Sequence, residues 1–289
     1  MLQVARLAPK ALGDSAALVL RFLENQLGPN GGGKDRDGHE DLYYTIFVLA
    51  GFQALQAEIP IERVEPYLRS FEEGKSLDFV HLGALARCWA AIGLNHAPKN
   101  LIPKLLDRIE AHRTAGGGYD SEPGKPHGNP YGCFVAFGAY QDLAVPIPDP
   151  LRMVQCLKFC ETPDGGWGNA RGLKQGATPA TAAAVTLLHQ LGMPIHSAVA
   201  DWLLAQAHPQ GGFAAVPGAP IPDLLSTATA LHALSCLEAP LSDALREKCL
   251  DFVDSLWNAE GGFHGHWADD HLDAEYTFYG LLALGHLGQ

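Results

Sequence analysis

A glycine pair followed by an aromatic residue recurs along the chain, as Gly117-Gly118-Tyr119, Gly165-Gly166-Trp167, Gly211-Gly212-Phe213 and Gly261-Gly262-Phe263. The second glycines are 48, 46 and 50 residues apart. A period of this size is that of a repeat architecture in which one supersecondary unit stacks on the next. A weaker member, Gly32-Gly33-Lys34, precedes Gly118 by 85 residues, close to two shortened periods. The unit between them reads YLRSFEEGKSLDFVHLGALARCWAAIG and lacks the pair. About six units follow, at roughly residues 20–60, 61–95, 101–146, 150–194, 196–240 and 242–289, after a lead-in helix over 1–20. All belong to a single domain, 1–289.

Each unit has one plan. An amphipathic run with apolar residues at helical spacing comes first, as in residues 199–207 (VADWLLAQA). The glycine pair then stops that helix, because glycine takes the left-handed cap conformation at little cost. After a polar loop comes a second run, such as STATALHALSCL or YTFYGLLALGHLG. It is apolar almost all round and must be buried on every side. Hairpins of this kind pack as two rings, all-apolar helices inside and amphipathic ones outside. The expected fold is all-α, an α/α toroid of about six helical hairpins. The last unit is as apolar as the rest, which favours a closed ring over an open solenoid with polar end caps.

Composition removes several function classes. Apolar residues make up 47% and charged residues 18%, the balance of a globular chain. Lys+Arg 20 against Asp+Glu 32 leaves a net charge of −12, without the basic footprint that nucleic acid requires. No eighteen-residue apolar run marks a transmembrane segment, and the opening residues lack a signal-peptide pattern. The six cysteines lie mostly in helix-like apolar runs. They read as buried free thiols, which points to a cytoplasmic location.

The unit "GGF/W … D-x-x-Y-[ST]-F-[YW]" resembles the repeat shared by protein prenyltransferase β-subunits and squalene/oxidosqualene cyclases, over roughly residues 20–289. The run Asp273-Ala274-Glu275-Tyr276-Thr277-Phe278-Tyr279 is similar to the prenyltransferase zinc motif, D-x-C-Y-[ST]-F-W. The resemblance implies a metal ligand at Asp273 and a diphosphate contact at Tyr276. Glu275 stands where that family has its zinc cysteine. An oxygen-rich site suits Mg²⁺ or Mn²⁺ better than a zinc–thiolate centre does, so the implied cofactor is a divalent metal, Mg²⁺ or Zn²⁺. The family's third ligand is a histidine in the following repeat. In a closed ring that repeat is the first, with Tyr44 at the histidine place and His39 or Asp41 as substitutes. The family's R-x-x-K diphosphate grip appears as Arg171-Gly172-Leu173-Lys174.

The resemblance therefore implies a prenyltransferase-like protein that binds an isoprenoid diphosphate or similar lipid in a central funnel. Asp273, Glu275, Tyr276 and Asp41 are the candidate catalytic residues, and Asp273, Glu275 and His39 the metal set. Arg171, Lys174, Tyr44, Phe134 and Phe278 would hold substrate. An α-subunit-like protein partner is implied as well. The bland account of the rim acids is helix capping: Asp41, Asp78, Asp223 and Asp273 all stand near inner-helix starts, where aspartate accepts backbone N–H bonds. The histidines of HGHWADDH (His264, His266, His271) have a plausible ligand spacing, but a solvent-facing loop explains them better, because no scaffold fixes a third ligand. Two other functions stay open. One is a non-catalytic scaffold toroid; the other is a terpene-cyclase-like or carbohydrate-active barrel using rim carboxylates such as Asp41 and Asp273. The D-x-D-D acid of class II cyclases is absent, Asp269-Asp270-His271-Leu272-Asp273 being a poor imitation.

Overall fold

A computed structural model describes residues 1–288. Two short helices, α1 (Leu2–Ala5) and α2 (Ala8–Leu12), lead into six hairpins. Each hairpin joins an amphipathic helix to an apolar one: α3 (Ala16–Gln26) with α4 (Leu42–Ala54), α5 (Ile61–Ser70) with α6 (Phe79–Ile92), and α7 (Leu101–Glu110) with α8 (Pro130–Asp142). The second half repeats this with α9 (Pro150–Lys158) and α10 (Thr178–Gln190), α11 (Ala198–Leu204) and α12 (Leu224–Cys236), and α13 (Asp243–Ser255) and α14 (Ala274–Leu287). The apolar helices α4, α6, α8, α10, α12 and α14 pack each against the next, and α14 packs against α4. That last contact closes the ring. The expected all-α toroid is the observed fold, with the amphipathic helices outside.

Helix α1 lies against α14 and α4 at the end of the barrel where the inner helices finish. Its Val4 carbonyl sits directly on Gly285, where any side chain would collide. The only paired strands among the described residues are Gly33–Lys34 and Glu40–Asp41, but each glycine-pair loop carries an antiparallel bridge, such as Ala207 with Phe213, and the last two units add a second, Phe213 with Asp223 and Phe263 with Asp273. These bridges fix a register that the sequence pattern misses. Gly33 pairs with Leu27 as Tyr119 pairs with Arg113, so Gly33 holds the aromatic position and the first unit's pair is Gly31-Gly32.

The glycine pairs do more than end helices. At most of the pairs a side chain on the first glycine would run into the outer helix of the next unit, Gly31 into Arg63, Gly117 into Arg152 and Gly211 into Lys248, while at Gly165 it would only touch Trp202. Gly261, in the last unit, would run into Leu18 of α3 in the first. The second glycines receive an outer-helix side chain in the same way, Tyr67 on Gly32, Phe252 on Gly212 and Phe22 on Gly262. Hairpin therefore interlocks with hairpin through these pairs, and the seam between the last and first units uses the same contact. No helix among the described residues is long and apolar enough to cross a membrane. All six cysteines are free, five of them buried.

Candidate functional site

The inner helices all begin at one end of the barrel, and most begin with a side-chain cap. Asp41 accepts from the backbone N–H of Tyr43 and Tyr44, Asp78 from His81, Asn129 from Gly132, Asp223 from Ser226 and Asp273 from Tyr276. Capping thus accounts for one oxygen of each rim aspartate. Ala177 has no such group, and no side chain caps α10. One turn on, a threonine ties helix to loop: Thr45, Thr181, Thr227 and Thr277 accept from the backbone N–H of Gly33, Trp167, Phe213 and Phe263. This contact explains the [ST] that follows Tyr in the repeat motif.

What the second oxygens do distinguishes the units. At the seam, Arg36 reaches from the first unit into the last. Its Nε donates to Asp273 Oδ2 at 2.8 Å and its Nη2 to Asp269 Oδ2 at 2.9 Å. The guanidinium also lies 5.3 Å from the ring centre of Tyr276. Asp273 is 1% exposed, and burial raises its carboxyl pKa while Arg36 and the cap bond pull the other way. Beside it, the Tyr43 hydroxyl donates to Glu275 Oε1 at 2.6 Å. Burial pushes Glu275 up to about 7 in spite of that bond, and neighbouring Asp273 adds to the shift.

Between the first and second units, the His81 ring bridges Asp41 Oδ2 at 3.0 Å and Asp78 Oδ1 at 2.8 Å. The hydrogen bond to Asp41, with Asp78 adding to it against a burial cost, lifts His81 to about 9 from its ordinary 6.5. A folded pKa above the unfolded one means the stabilisation is complete below pH 6.5 and disappears as pH rises through about 9. Replacing His81 by Ala is expected to cost about 1 kcal/mol at pH 6, given partial solvent screening, and much less at pH 10. Thermal melts of both proteins across that range check it; a gap that does not change with pH would refute the charged bridge.

The residues implied as a metal set do not assemble into one. Both oxygens of Asp273 are engaged, by the Tyr276 N–H and by Arg36, and the guanidinium stands where a metal cation would have to sit. His39 is 81% exposed and turns toward Asp35, 3.9 Å away. Asp35, Asp37 and His39 form the one set of three ligand-type side chains within reach of each other among the described residues, on an exposed loop. A site of Asp273, Glu275 and His39 therefore does not fit a divalent metal. In the HGHWADDH loop, His264 contacts the carbonyl of His271, His266 accepts from Ala268 N–H, and Asp269 serves Arg36. These too are loop contacts.

The R-x-x-K pair is not aimed at the barrel interior. Arg171 donates to His127 Nε2 at 2.7 Å and stacks 4.3 Å from the ring centre of Phe159, the residue that ends outer helix α9. Lys174 is exposed. Tyr44 stands at the seam, close enough to Arg36 to feel its charge. Phe134 and Phe278 do face the interior.

That interior is a cavity of about 470 Å³, which shares walls with a second of about 320 Å³ toward the α1 end. From Tyr43 in the first turn of α4 to Gln53 near its end the space runs about 15 Å, ten residues of helix rise. Tyr43, Phe47, Tyr131, Phe134, Phe278 and Tyr279 give it aromatic walls. Gly83, Ala84, Gly138, Ala182 and Ala183 keep it open. Three charged side chains line it: Glu275 at the rim end, and Arg87 and Asp142 deeper in, paired at 2.9 Å. Sequence reasoning misses Arg36, Tyr43, His81 and the Arg87–Asp142 pair. Only His81 carries a local signal, three residues after a capping aspartate.

Solved structures share this architecture. The Candida albicans protein geranylgeranyltransferase-I, complexed with geranylgeranyl diphosphate, is 14% identical with a TM-score of 0.71, covering 94% of this chain and 90% of its own. A Scytonema type II terpene cyclase, in complex with geranylgeranyl dihydroxybenzoate, is 13% identical with a TM-score of 0.60 and 97% of both chains covered. An alpha-1,6-mannanase from Salegentibacter is 15% identical with a TM-score of 0.61, covering 96% of this chain and 98% of that one. At these identities the likeness is one of fold. A search of curated proteins finds no match. The sequence profile of the prenyltransferase alpha-alpha toroid domain matches residues 8–80 and 181–288, more than half of the chain and both sides of the Arg36 seam. The chain belongs to the prenyltransferase alpha-alpha toroid domain family.

Proposed function

We propose that the central cavity binds an elongated apolar molecule of isoprenoid type, its tail along the inner helices and its head at the Glu275–Tyr43 end. The observation that carries this reading is the aromatic-walled cavity enclosed by the six inner helices, with a second adjoining it toward the α1 end. Its size lies in the range of ligand sites, and its walls offer a hydrocarbon nearly continuous apolar contact. The geranylgeranyl ligands in the transferase and the cyclase of like fold support the same class.

The prenyltransferase version of this reading adds a diphosphate grip at Arg171 and Lys174 and an α-subunit-like partner. The outward stacking of Arg171 on Phe159 favours the simpler version, a lipid-binding toroid. A carbohydrate-active barrel would need two rim carboxylates free to act as acid and base. Asp41 and Asp273 instead have both oxygens engaged, which argues against that reading.

Farnesol tests the proposal, because it has the tail without a charged head. Burying about ten CH₂ equivalents contributes on the order of 8 kcal/mol before ordering costs, so roughly micromolar affinity is expected by calorimetry. Ala183 faces the cavity from α10, and Ala183→Trp would fill it; affinity is expected to fall about a hundredfold or more. Failure of the unmutated protein to bind farnesol, or equal binding by the variant, would leave the scaffold reading ahead.

A further inference from the structure

The charges around the cavity are unequal, and the imbalance has a sign. Inside, Arg87 and Asp142 pair with each other and the Met1 amino group lies beside Arg87 at the α1 end, which leaves Glu275 as the one charged lining side chain without an ion-pair partner. At the rim, Arg36 is shared by Asp269 and Asp273, and His81 by Asp41 and Asp78. Two cations there face four carboxylates, so neither is free to take an anionic ligand. The whole chain carries −12. An approaching diphosphate meets a repulsive field, and a cation an attractive one.

The aromatic rings add a second and independent preference. The Tyr43 and Phe47 rings lie 5.0 Å apart edge to face, and Phe47 stands 5.7 Å from Tyr279. Tyr279 in turn is 6.5 Å from Tyr276, and Tyr131 lines the same end of the cavity. Ring faces attract cations, and the rings of Tyr43, Phe47, Tyr131 and Tyr279 line the same cavity as Glu275, the residue types from which sites for alkylated ammonium groups are built. Glu275 is held among these rings by the Tyr43 hydroxyl.

We propose that the head-group end of the cavity selects a cation, so that the ligand class is an amine or quaternary ammonium carrying an isoprenoid or similar apolar tail. This rests on the reading of the cavity as an isoprenoid site and adds the charge of the head. Glu275 supplies the countercharge, and Tyr43, Tyr131 and Tyr279 supply the aromatic wall beside it. The doubly paired Arg36 and His81 keep the rim negative overall.

Three probes with the same tail test it on the full chain: farnesyl-trimethylammonium, farnesol and farnesyl diphosphate. Calorimetry at pH 8.5, where the raised Glu275 carboxyl is ionised, is expected to give the ammonium an affinity about tenfold or more above farnesol, and the diphosphate one below it. In Glu275→Gln the ammonium-to-farnesol ratio is expected to fall close to one. Should that variant not fold, the order of the three probes on the unmutated protein still decides. Equal affinity for ammonium and alcohol, or a preference for the diphosphate, would overturn the cationic head while leaving the isoprenoid cavity standing. An ammonium advantage that persists in Glu275→Gln would overturn the role of Glu275. Absence of binding by all three would overturn the cavity reading itself, and the cationic head with it.

Discussion

Gly211→Ala is expected to destabilise the toroid by about 3–4 kcal/mol, an overpacking cost of up to about 3 with about 1 more for a side chain at positive φ. Gly211 has φ +98°, and its added methyl group would meet the main-chain carbonyl of Lys248 in the middle of α13. A helix backbone cannot step aside without giving up its own hydrogen bonds. Two units would have to separate. Gly261→Ala should behave likewise, because its collision is with the Leu18 carbonyl in α3, across the seam that closes the ring. Gly172→Ala supplies the control: Gly172 also has positive φ, at 76°, but open space where a side chain would go. Strain alone should cost it about 1 kcal/mol. Denaturant midpoints of the three variants separate the two costs, and equal losses would mean that backbone conformation rather than interlocking sets the requirement for glycine.

Arg36→Ala is expected to cost about 2–3 kcal/mol at pH 7. Removing one partner from a buried ion pair strands the other, a loss of several kcal/mol when both are fully buried. Here the Asp273 side chain is buried and that of Arg36 is 34% exposed, so the figure is set below that limit. The pH dependence has a definite sign. Burial holds the Asp273 carboxyl above its ordinary pKa even with Arg36 present, so its ionisation opposes folding as pH rises. Without the guanidinium that opposition grows, and protonation at low pH removes it. The deficit of Arg36→Ala relative to the parent should therefore shrink between pH 7 and about pH 4.5. A deficit constant across that interval would show that Arg36 acts through packing on Tyr276 rather than through its charge. Arg36→Lys keeps the charge but loses the fork that spans two carboxylates, and an intermediate stability is expected.

These two variants also mark how far the chain can be read without its fold. The glycine pairs announce the repeat because each pair recurs in one unit, and the all-apolar inner runs announce burial on every side. Closure could be inferred as well, since the last unit has no polar capping face. The one-residue register of the first unit was hidden, because three consecutive glycines, Gly31 to Gly33, offer two equally good pairs. Only the bridge between Leu27 and Gly33 distinguishes them. The rim was legible in part. A capping aspartate and a ligand aspartate occupy the same place before a helix, so Asp273 looked like the remnant of a metal motif.

What the sequence determined by itself is local or periodic: the helical hairpin, its repetition, the inner and outer faces, and the aspartates at the inner-helix starts. Each follows from contacts within some fifty residues, over which the pattern of apolar residues and caps is written directly in the chain. Only the tertiary structure decided which charges meet. Arg36 and Asp273 are 237 positions apart, and no local rule relates them until the ring closes and brings the first unit against the last. The same holds for Tyr43 with Glu275, 232 positions apart, and for the open space between the inner aromatics. A cavity is the sum of six helices' side chains around an axis. Its volume and its leftover charge belong to the assembled ring and to none of its units.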